Sequence, residues 1–153
     1  MITLLIQPDE VTNVVGFNDN IDFDNLRPAI EVAQNINLYN FLGLALITKL
    51  QSGNLTGVYS TISNDYVKPI LAWHSASIYL SLNTFKTANN GNFKLNGGDG
   101  DVQPTPTEIK EQIVNHKNVA LSYESKFLDY AKTIEIPEFK IESSNKTNMI
   151  NWY

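Results

Sequence analysis

Among its 153 residues the chain has no cysteine, which excludes a disulfide framework and thiolate chemistry. It has one arginine, Arg27, against ten lysines. No basic stripe of the kind that a nucleic-acid surface needs is visible. Histidine is confined to His74 and His116, a spacing that matches no local metal motif. No apolar run approaches the ~18–20 residues of a bilayer crossing, so no membrane partner is expected. The opening "MITLLIQPDE" lacks a basic n-region and a small-residue cleavage site, which argues against a signal peptide. Together with the missing cysteines, this suits an intracellular or virion protein.

What is present fits one soluble domain with a real core. The apolar fraction is 42% and the net charge is −5. Asparagine occurs nineteen times, a bias that points to an AT-rich genome more than to a function. The pattern is mainly helical. "ITLLI" (2–6) is a short β-prone run. Pro8, Asp9 and Glu10 suit a first helical turn, so a short helix is expected over 8–15, ended by Gly16. Asp24 is a candidate cap for the next helix, with Pro28 near its first turn and Leu26, Ile30 and Ala33 on one stripe. Residues 36–50, "INLYNFLGLALITKL", are apolar nearly all round and predict a buried helix at the centre of the core. Gly43 inside it implies either close approach of another helix or a bend. A third helical pattern starts at Asn64, with Pro69 in its first turn or at a kink.

From Thr87 to Glu108 runs a polar interruption, "TANNGNFKLNGGDGDVQPTPTE". Its end is a helix start: Thr105 as cap, Pro106 at the first helical position and Glu108 closing a capping box. A long helix should follow to Ile134, with one seam through Ile109, Ile113, His116, Ala120, Tyr123, Phe127 and Tyr130. Asn90-Gly91 is a tight-turn pair, so Thr84–Thr87 and Asn92–Asn96 could form a β-hairpin. Such a hairpin is marginal alone and becomes stable when a partner covers it. The 85–105 stretch therefore reads as an arm that meets another subunit through Phe85, Asn90, Gly91, Phe93 and Leu95; a plain surface loop is the alternative.

A search for chemistry finds no catalytic, metal or cofactor set, and no cofactor is expected. Counted from Asp99, the twelfth position of a calcium loop would be Lys110 rather than glutamate. The glycines of 97–100 lack the Lys-Ser/Thr pair of a phosphate loop. Both histidines fall on apolar helical faces, where packing is the ordinary role. Residues 136–153 read as an extended tail appended to a 1–135 helical domain. Phe139, Ile141, Trp152 and Tyr153 are its candidate docking residues, because exposed aromatics on a tail usually dock somewhere.

Four stretches in order resemble the head–tail connector (adaptor, or head-completion) proteins of tailed bacteriophages, in the form found in phages of gut Bacteroidetes, including the crAss-like group. They are "ITLLIQPDEV", "LRPAIEVAQNINLYNFLGLALITKL" with Leu42-Gly43, "DYVKPILAWHSASIYL" with Lys68-Pro69, and the Asn/Gly-rich insert before a Lys/Glu-rich helix. The similarity covers about residues 1–135. It implies a non-enzymatic virion protein, assembled in the bacterial cytoplasm, whose copies form a dodecameric ring beneath the portal. The ring would receive the next tail component and let DNA pass without specific binding. A small monomeric helical binding or regulatory protein is the alternative. A third reading is an enzyme using His74 or His116 with nearby carboxylates.

Overall fold

The computed structural model describes residues 2–17, 21–90 and 105–141. It is mainly helical, and no strand occurs among the described residues. Helix α1 spans Pro8–Val15. The Gln7 N–H donates to Glu10 Oε2 at 2.8 Å, and Gly16 closes the helix at φ 76°, a left-handed conformation that glycine takes without penalty.

Helix α2 spans Phe23–Val32. Its cap is Asp22, whose carboxylate accepts from the Asp24 N–H at 2.9 Å; the sequence had pointed to Asp24, which instead occupies the first turn. The helix continues through a π-helical stretch, Ala33–Leu38, into α3, Tyr39–Leu42. Gly43 then turns the chain at φ 81° before α4, Leu44–Gln51. A Cβ built at Gly43 would meet nothing within 4 Å, so the glycine serves a bend and not a close approach.

A second continuous run follows Gly57: α5 (Val58–Thr61), a π-helical stretch (Ile62–Val67) and α6 (Lys68–Asn90). It begins six residues before the Asn64 that the sequence suggested. Pro69 has no N–H for the carbonyl four residues back, Asp65, which lies in the wide π turn. That turn is where the chain absorbs the missing hydrogen bond.

Helix α6 is the hub on which α1, α2 and α7 all pack. Ile70, Leu71 and Ala72 are fully buried, and the run from His74 to Ser77 is buried. Small side chains at Ala72, Ser75 and Ala76 let three helices approach one another. The 36–50 segment, expected at the centre, is buried along one side through Leu38, Leu42, Leu46, Ile47 and Leu50 and exposed at Ile36, Tyr39 and Leu44. Helix periodicity cannot distinguish these two positions, because an apolar helix at the edge looks the same in sequence as one at the centre.

Thr84–Thr87, expected as the first hairpin strand, lies within α6. Extending an existing helix adds a hydrogen bond for each residue ordered, whereas a new two-stranded hairpin has little to stabilise it. The second strand, Asn92–Asn96, lies outside the described residues. Helix α7 spans Pro106–Ala131 and starts as expected: the Thr105 N–H donates to Glu108 Oε2 at 2.6 Å, and the Glu108 N–H donates to Thr105 Oγ1 at 3.2 Å. It stops three residues short of Ile134. Ile136 is buried, and Phe139 packs on the core. The helical core thus extends past the boundary expected at residue 135. Phe127 centres an aromatic cluster, with its ring 5.8 Å from Phe41, 5.8 Å from Tyr66 and 5.1 Å from Phe139. Edge-on geometry among such rings adds to their burial.

Candidate functional site

The two histidines lie between α6 and α7. His74 Nε2 is 2.9 Å from Glu124 Oε1, with both side chains buried. Next to His74, the Ser75 hydroxyl is buried without a hydrogen-bond partner. Sequence reading picked out His74 but not Glu124, because a glutamate on a Lys/Glu-rich helix gives no sign that its turn faces inward. A buried pair of this kind ties two helices and orders their register. A general base must also reach a substrate proton, and this pair is covered by the helices that hold it.

His116 is half-buried. Its ring lies edge-on to Trp73 at 5.2 Å and to Phe17 at 6.3 Å. Burial pushes its pKa below the ordinary histidine value, since the charged form loses water there. Among the described residues, no group of three or more His, Asp or Glu side chains could hold a metal ion. The "GGDGD" stretch (97–101) lies outside the described residues. No helix among the described residues is long and apolar enough to cross a membrane.

The N-terminal segment is held by a different device. Gln34, 2% exposed in the π-helical stretch, accepts from the Leu5 N–H at 2.8 Å and donates to the Thr3 carbonyl at 2.9 Å. Gln51 donates to the same carbonyl at 2.8 Å. The β-prone run 2–6 therefore finds side-chain amides where a strand would find a neighbouring strand. No signal in the sequence marks Gln34 as buried.

Three surface features remain. First, one face of the α2–α3 run is apolar and open: Val32 is 39% exposed, Ile36 56% and Tyr39 45%. Between Glu31 and Lys49 the sequence contains no Asp, Glu, Lys or Arg. Second, charge is unevenly placed. Residues 1–31 carry six acidic side chains and one basic, and the remainder carries ten of each. The whole net charge thus belongs to the segment that forms α1 and most of α2. Third, α6 continues to Asn90.

Of the expected arm residues, Phe85 and Asn90 lie on α6; Gly91, Phe93 and Leu95 lie outside the described residues. Of the tail residues, Phe139 lies on its own chain's Phe41 and Phe127, at 6.4 and 5.1 Å between ring centres. Ile141 is exposed, and Trp152 and Tyr153 lie outside the described residues. Compared with known protein families, curated proteins and solved structures, the chain matches none.

Proposed function

We propose that the chain is a structural virion protein of a tailed-phage head–tail connector, with copies closing into a ring between portal and tail that extends the DNA channel. The observation that carries this reading is the arm's base. Ser77 is the last buried residue among the described side chains of α6, and the helix runs on to Asn90, about 20 Å further at the helical rise. An arm that begins near the end of this helix would start beyond its last buried turn, as a contact to an adjacent subunit or the next ring requires. Head-to-tail contacts with a closing rotation produce such rings; the family resemblance implies twelve copies.

The acidic first 31 residues suit a channel wall over which DNA slides, since phosphate contacts come chiefly from Lys and Arg. The enclosed His74–Glu124 pair supports a non-enzymatic role. The partners are then other copies, the portal and the next tail component, within the virion. A small monomeric helical binding protein is the second reading, favoured by the open apolar face at Val32–Tyr39.

Light scattering on the purified protein, alone and with the cognate portal, tests the reading. A ring, or a monomer that assembles on the portal, is expected. A strict monomer indifferent to the portal refutes it and favours the binding module. Deleting 86–103 should leave a folded monomer that assembles poorly, and a normal ring from that deletion would refute the role of the arm.

A further inference from the structure

We infer that the backbone edge of residues 2–4, with the cleft beside it, is a docking site for an extended peptide segment of another protein, and that Arg27 receives a carboxylate of that segment.

The clamp on the N-terminal run leaves one of its edges free. The Leu5 N–H donates to Gln34 Oε1, and the Thr3 carbonyl accepts from Gln34 Nε2. One side-chain amide thus serves a carbonyl and an N–H two residues apart, as one residue of a parallel neighbouring strand does in a ladder. In extended backbone the polar groups of successive residues point to opposite edges. The N–H and carbonyl of Leu4 and the carbonyl of Ile2 therefore face away from Gln34. Among the described residues these groups have no hydrogen-bond partner. A row of unpaired backbone groups is a template for an added strand. The edge is also held in place before any partner arrives, by Gln34 and by Gln51 on the Thr3 carbonyl, so docking has little chain to order.

A cleft of about 300 Å³ adjoins this edge, lined by Ile2, Thr3, Leu4, Gln7 and Arg27. Its lining offers apolar surface, a hydroxyl, an amide and a guanidinium, with no carboxylate. Arg27 is the one arginine of the chain. Its ion pair runs from Nε to Glu31 Oε1 at 3.4 Å, with the Arg27 side chain 48% exposed; such a pair is worth little. Its two Nη groups have no partner among the described residues. That fork matches a carboxylate with two parallel hydrogen bonds.

The chemistry selects the occupant. A small anion would meet Arg27 and leave the Leu4 and Ile2 groups unpaired. A second copy pairing through the same edge would bring two segments of net charge −5 together, since residues 1–31 carry six acidic side chains and one basic, and like charge opposes that approach. An extended peptide with alternating apolar side chains satisfies the edge and covers Ile2, which is 42% exposed. Its single carboxylate meets the cation in the cleft.

The probe is the synthetic peptide acetyl-Thr-Val-Thr-Val-Glu-amide, titrated to on the order of 5 mM into the isotope-labelled full chain and followed by amide NMR. Shifts confined to Ile2, Thr3, Leu4 and the Arg27 side chain are expected, with slowed exchange of the Leu4 amide. Arg27→Gln, a change at a half-exposed side chain, should weaken binding about tenfold or more, the loss of a charge-assisted bidentate contact. Replacing the peptide's glutamate with glutamine should weaken binding to the unaltered chain by the same factor, with no further loss in Arg27→Gln. N-methylation of alternate peptide amides should abolish binding on one edge of the peptide and spare it on the other. No shift at the highest concentration, or shifts centred elsewhere, would overturn the inference. Equal affinity with and without Arg27 would remove the carboxylate contact, and indifference to N-methylation would remove the strand pairing; either overturns the site as assigned. Shifts at Ile2–Leu4 that grow with protein concentration in the absence of peptide would give the edge to a second copy instead. The result does not depend on the connector reading, which light scattering tests separately.

Discussion

Replacing Gln34 with alanine removes the clamp on the N-terminal segment, and its cost can be worked from the contacts. The Leu5 N–H loses the Gln34 acceptor; an orphaned, partly buried donor costs about 1–3 kcal/mol. The Thr3 carbonyl keeps its bond from Gln51, so the second lost bond contributes at the low end of the usual range, about 0.5 kcal/mol. Truncating a side chain that is 2% exposed also leaves a small void, worth about 1 kcal/mol. The sum is about 3 kcal/mol, or a fall in Tm of about 6–12 °C for a domain of this size. Urea denaturation measures the first quantity, and hydrogen exchange at the Leu5 amide reports the clamp directly. Gln34→Leu should recover the void term alone. Gln34 and Gln51 share the Thr3 carbonyl, so the double alanine variant should be less stable than the sum of the singles, by about 0.5 kcal/mol or more. A loss under 0.5 kcal/mol with unchanged Leu5 exchange would refute the reasoning.

Three further outcomes are expected. Glu124→Ala leaves the buried His74 nitrogen without its partner and should cost about 1–3 kcal/mol; Glu124→Gln, which can still hydrogen-bond, should cost less than half as much, and equal thermal melts for the two would remove the hydrogen bond from the account. Ser75→Ala removes a buried hydroxyl that has no partner, so stability should hold or rise by up to about 1 kcal/mol, and a clear loss in urea would show that the hydroxyl is bonded. The pKa of His116 is held below 6.5 by burial, so below that pH the unfolded chain binds a proton that the folded chain resists. Stability should be full above pH 6.5 and fall as pH drops through the depressed folded value; His116→Phe should flatten that part of the urea-midpoint profile, and an unchanged slope would place the acid sensitivity elsewhere.

Local features could be read from the chain because their causes are local. The start of α7 follows from Thr105, Pro106 and Glu108 acting within one turn, and the end of α1 follows from one glycine. The stripe of Leu26, Ile30 and Ala33 was visible because helical spacing alone puts them on one side, and all three are buried. Asp22 and Asp24 could not be separated as caps, since both are acidic and lie before the same apolar stripe; which one caps depends on where the chain turns into the helix. The π-helical stretches were not legible either, because no side-chain pattern marks an added residue in a turn. The candidate site was legible in part. His74 stood out as a residue type, whereas Glu124 and Gln34 look like ordinary surface polar residues until the fold encloses them.

The amino-acid sequence by itself determined that this protein is mainly helical, that it has no thiol chemistry, and where three of its helix ends fall. Each of these depends on composition or on contacts within a single turn. Only the tertiary structure decided that α6 is the hub and that Ile36 and Tyr39 remain outside. It also decided that the first strand-like run is held by glutamine amides. Those outcomes depend on which surfaces meet across distances of 29 to 50 residues along the chain, and burial of that kind is a property of the packed whole.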